Sequence, residues 1–154
     1  MKDENQEREI QLRRLQQNLS SIRKIAGWTA EVLGEKIGVT KQTISNLENG
    51  KTPMSFTQYI AIRTALDCEI EGNKENEVLP KVVAILLDDN ELDDENYSKV
   101  KDVADTVAAS AVGGTPTVKL DKIFDVLIAS LPFIIAPIIG AIISSSFNWK
   151  KLLK

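Results

Sequence analysis

The stretch from Thr29 to Gly50 sets the tightest limit on what this chain can fold into. Thr29 can cap a short helix over Ala30–Ile37, and Gly38-Val39 makes a tight turn after it. Thr40 can cap a second short helix over Lys41–Asn49, with Gly50 placed just past its end as a C-cap. Leu33, Ile37, Val39, Ile44 and Leu47 give the two helices a shared apolar side, and Gly34 lets them approach closely. The exposed side of the second helix carries Lys41, Gln42, Thr43 and Asn46, short polar or basic groups able to reach base edges.

The flanking sequence supplies further helices and no strand pattern. Upstream, Leu12, Leu15, Leu19 and Ile22 recur at spacings of three and four, a helical face ending near Gly27. Downstream, Pro53 lies in a connector and Ser55 can cap a helix running through Leu66. This defines an N-terminal domain over 10–67, preceded by a polar stretch, 1–9, that reads as disordered. A polar linker follows over 68–77. In the segment 78–117, Leu79, Val82, Val83 and Leu86 form one helical face, with Pro80 tolerated in the first turn. Tyr97, Val100, Ala104, Val107 and Ala111 predict another helix over 96–112. The acidic run Asp88 to Glu95 reads as a solvated loop, and Gly113 to Pro116 as a break. The expected fold class is all-α, with no internal repeat.

Charge is unevenly divided. Residues 10–67 sum to +4, residues 68–118 to -8 and residues 119–154 to +3. A basic head, an acidic middle and a mixed apolar tail suggest segments with different partners. The chain has no histidine, so imidazole catalysis and His-ligated metal are excluded. The only cysteine, Cys68, can form neither an intramolecular disulfide nor a zinc cluster, which fits a reducing compartment. No acid–base constellation, phosphate loop or cofactor motif is present, so no enzyme, metal or cofactor is expected. The polar, acidic start Met1–Glu9 is no secretory signal, which puts the N-terminal half in the cytoplasm.

The string from Ile22 to Thr29, the turn Gly38-Val39-Thr40 and the stretch from Thr43 to Thr52 resemble the Cro/phage-repressor (XRE) family of helix-turn-helix regulators. The resemblance runs without a gap from Ile22 to Leu66. It implies a lambda-repressor-like domain of four to five helices whose recognition helix, 41–49, enters the major groove of double-stranded DNA. By resemblance Lys41, Gln42 and Asn46 would read bases, while Thr43, Asn49, Lys51 and Thr52 would touch phosphates. Arg23 and Glu48 match a pair that forms a structural salt bridge in relatives. Ala30 departs from the pattern, because a Gln that contacts the DNA backbone commonly stands there.

One such domain covers about half an operator, and a charge of +4 makes the phosphate contribution modest. A homodimer or higher oligomer on a pseudo-palindromic site is therefore expected, with half-sites ~34 Å apart. The reading is a transcriptional regulator, more specifically a repressor acting by occlusion. A protein-interaction adaptor that has lost DNA binding stays open as an alternative, as does a membrane-active toxin or immunity-type protein.

The tail, 118–154, carries its own signal. Leu120, Ile123, Phe124, Leu127, Ile128 and Leu131 form one face of a helix. The uncharged run from Val126 through Ile143 extends to Ser146, and residues 126–146 at 1.5 Å per residue would reach ~31 Å, about a bilayer's hydrocarbon thickness. Trp149 with Lys150, Lys151 and Lys154 resembles an interfacial flank. Against a membrane anchor stand Pro132 and Pro137 inside the run and the amphipathic first half. The competing reading is an oligomer core built from Phe133, Ile134, Ile135, Ile138, Ile139, Ile142 and Ile143.

Overall fold

The computed structural model describes residues 3–88, 92–112, 117–131 and 148–153. Among these the chain is all helical: α1 (Glu4–Ile25), α2 (Ala30–Ile37), α3 (Lys41–Glu48), α4 (Phe56–Gly72), α5 (Val78–Leu86), α6 (Asp94–Val112) and α7 (Thr117–Ala129), closed by a 3-10 turn at Trp149–Leu153.

The N-terminus differs from the disordered stretch expected over 1–9, since α1 begins at Glu4. Asp3 caps it by accepting from the Asn5 amide, and Glu4 and Glu7 oppose the positive helix end while Arg23 and Lys24 sit at the negative one. Tertiary contacts hold the first turns too. The Arg8 guanidinium lies 4.0 Å from the Phe56 ring centroid and donates to the Leu152 carbonyl. Twenty-two residues make a rod ~33 Å long. It packs against α3 and α4 as well as α5 and α6. Leu15, Leu19, Ile22 and Ile25 fill the core along it, and Asn18 donates to the Tyr97 hydroxyl on α6 at 2.7 Å.

α4 starts at a capping box in which Ser55 and Gln58 satisfy each other's amides. It runs on past Leu66 to Gly72, so the first part of the expected linker 68–77 is helix. The rest is tied down by Asn76, which is buried, donates to the Ile25 carbonyl and accepts from the Leu79 amide. α5 follows with every residue from Val82 to Leu86 buried, a hydrophobic axle between the head and the last helices. Residues 73–77 form the short polar connection between α4 and α5, and the buried residues on either side of it form one continuous cluster.

The acidic run is only partly solvent-facing. Asp88 pairs with the buried guanidinium of Arg63 at 3.0 Å, and Asp93 accepts from the Asn96 amide at 2.7 Å at the start of α6. Burial outweighs Arg63 and pushes the Asp88 carboxyl up to about 6; burial likewise pushes the neighbouring Tyr59 phenol up to about 12. Residues 89–91 lie outside the described residues.

The start of the apolar tail belongs to the core. Leu120, Phe124 and Ile128 of α7 are buried, and Lys81 of α5 bridges Asp121 and Asp125 at 2.7 and 3.0 Å. Trp149 is not an exposed interfacial ring. It is buried against Tyr59 at 6.1 Å between centroids, lies 5.7 Å from the Arg63 guanidinium carbon, and donates its indole N–H to Asp67 at 2.9 Å. Among the described residues no helix is long and apolar enough to cross a membrane. Pro132, Pro137, the rest of the 126–146 run beyond Leu131 and the oligomer-core residues Phe133 to Ile143 lie outside the described residues.

Trp149 anchors the C-terminal turn through packing and one hydrogen bond, so Trp149→Ala should cost about 3 kcal/mol. In a chain of this size that lowers the thermal midpoint by roughly 6–12 °C, measurable by circular dichroism.

Candidate nucleic-acid interface

The two short helices are set by their caps. The Thr29 hydroxyl accepts from the Val32 amide and the Thr40 hydroxyl from the Thr43 amide, each at 3.1 Å. Gly38 ends α2 at φ 78°, a left-handed turn that aims the chain into α3. Gly34 sits where α2 meets the Val39-Thr40 backbone; a Cβ there would stand 2.6 Å from the Val39 carbonyl oxygen. α3 is one residue shorter than the expected 41–49, because Asn49 is its cap. The Gly50 amide bonds to Leu47 O and the Lys51 amide to Asn46 O, a Schellman ending that fixes the loop carrying Lys51 and Thr52.

Two side chains of α1 lock α3 in place. Arg23 meets Glu48 at 2.8 Å and uses its other nitrogen to donate to the Trp28 carbonyl at 2.8 Å. One guanidinium thus ties the α1 exit, the α1–α2 loop and the end of α3 together. Gln16 does the same for the loop after α3: it donates to Leu47 O and Thr52 O and accepts from the Met54 amide. Sequence reasoning missed Gln16. Its signal was a polar residue interrupting the apolar stripe of Leu12, Leu15 and Leu19.

Locked this way, α3 buries Ile44 and Leu47 and turns its other side outward. Lys41 and Gln42 are exposed, and Thr43 and Asn46 are half-buried beside them. Gln42 Nε2 donates to Asn46 Oδ1 at 2.9 Å, which ties the two amides together. The Thr43 hydroxyl is engaged with that of Thr40 at 3.0 Å. Asn49, Lys51 and Thr52 are exposed at the end of α3 and in the loop after it. Ala30 stands at the first position of α2, with Thr29 before it. Cys68 is exposed on α4 and free. No group of His, Cys, Asp or Glu suited to a metal ion occurs among the described residues.

A helix-turn-helix family model matches residues 19–73, which span the last turns of α1 and the whole of α2, α3 and α4. This segment is an XRE-type helix-turn-helix domain, a DNA-binding fold of transcriptional regulators. No curated protein and no solved structure matches the chain.

Two stability predictions follow from this geometry. Gly34→Ala forces the α2–α3 turn apart and should cost about 2 kcal/mol, read as a lower thermal midpoint. Arg23→Met strands Glu48 and the Trp28 carbonyl and should cost roughly 2–4 kcal/mol. The Arg23→Met, Glu48→Gln double variant should lose clearly less than the sum of the single losses in a double-mutant cycle.

Proposed function

We propose that this chain regulates transcription by reading a short duplex site through α3, and that it acts as a dimeric repressor. The observation that carries the proposal is the outward edge of α3. Lys41, Gln42 and Asn46 project from the N-terminal part of the second helix of a matched helix-turn-helix, the part that enters the major groove in this class.

The Gln42–Asn46 bond sharpens the chemistry. Whichever way the two amides are turned, the pair keeps a free donor and a free acceptor on one edge. That is the complement of adenine N7 and N6 in the major groove, while Lys41 suits guanine O6 or N7. Thr43, Asn49, Lys51 and Thr52 then hold phosphates around the reading helix and fix its register. A single domain spans a half-site, so two copies on a pseudo-palindrome, with centres ~34 Å apart, supply the affinity and block polymerase by occupancy.

Selection of random duplexes by the full-length protein should return a consensus with two inverted half-sites. On that duplex Lys41→Ala and Asn46→Ala should each weaken binding roughly tenfold or more in gel shifts and relax the base preference at one position. Recovery of no consensus would favour a protein-interaction adaptor.

A further inference from the structure

α1 carries two cations that the helix-turn-helix reading does not use. Arg13 is exposed and Lys24 half-buried, and neither enters an ion pair among the described residues. Eleven residues separate them, three helical turns to within about 20°, so both lie on one stripe of α1, ~16 Å apart along its axis. The eight residues of α3 span ~12 Å.

The surroundings place each cation at one end of α3. Arg13 lines a groove of about 640 Å3 together with Asn49 and Gly50, where the chain leaves α3. Gln16, three residues on from Arg13, is bonded to that same loop through Leu47, Thr52 and Met54, so Arg13 is held in register with it. Lys24 lines a crevice of about 440 Å3 with Trp28, Ala30 and Lys41, at the first residues of α2 and α3. Ala30 brings no polar side chain to that crevice, and Lys24 is an unpaired cation beside it. Glu48, the acid nearest the loop, is already neutralised by Arg23. Glu9 lines the Arg13 groove but forms no ion pair with it.

We propose that α1 is a third element of the DNA interface, its Arg13 and Lys24 each taking a backbone phosphate, one beyond either end of α3. The proposal rests on the DNA-binding reading above and adds to it where the grip on the backbone comes from. Phosphate contacts position a reading helix without informing it about sequence, and each one formed releases about one counterion and so steepens the salt dependence of binding by about one.

The test is the salt dependence of binding, measured by fluorescence anisotropy with the full chain on the selected duplex and on a scrambled one. Arg13→Gln and Lys24→Gln should each lower the magnitude of the log–log slope by about one, and together by about two. Each should weaken binding to both duplexes by a similar factor, roughly threefold to tenfold, with the selected consensus unchanged. Slopes equal to that of the wild type, or a changed consensus, would overturn the proposal while leaving the reading of α3 intact. Failure of the wild-type chain to bind any duplex would remove the DNA-binding reading itself, and the proposal with it.

Discussion

Four helices, α3, α4, α5 and α6, find their places directly on α1, which is buried on two sides. A 22-residue helix cannot bury both flanks against one small domain, and here it does not. One side holds the recognition pair through Arg23 and Gln16; the other takes α6 through Tyr97 and Asp105. Leu15, Leu19, Ile22 and Ile25 fill the space between, each essentially without solvent contact. The eight-residue helices α2 and α3 are too short to be stable alone in water, so their geometry is inherited from this packing.

That inheritance matters for recognition. A base contact demands a side chain held within fractions of an ångström, and a reading helix that wandered would lose discrimination faster than affinity. α3 is capped at its start by Thr40, closed at its end by a Schellman turn and braced from behind by Arg23. The knot of Arg63, Asp88, Tyr59 and Asp67 lies on α4 and just past the end of α5, and serves the core instead of the reading surface.

Much of this was legible in the sequence because local rules and tertiary structure agree there. Thr29, Thr40 and Ser55 cap helices, Gly38 and Gly50 turn left-handed, and the apolar residues step at helical spacing. What was not legible came from long-range partners. Nothing local distinguishes a frayed acidic N-terminus from one clamped by Phe56 and Leu152. The polarity of Asp67–Glu77 suggested a linker, yet Asn76 is polar because it must satisfy the buried Ile25 carbonyl and Leu79 amide. Asp88 was grouped with its acidic neighbours although its partner, Arg63, is twenty-five positions away. Trp149 followed by lysines resembles a membrane flank, and only the hollow formed by Tyr59, Arg63 and Asp67 shows why an indole stands there.

The docked Trp149 also has a topological meaning. α7 packs into the same continuous core that receives Trp149 and Leu152. A single passage through a bilayer between α7 and Trp149 would set two parts of this one core on opposite sides of ~30 Å of hydrocarbon. A one-way crossing would have to begin by pulling an indole out of the protein's core.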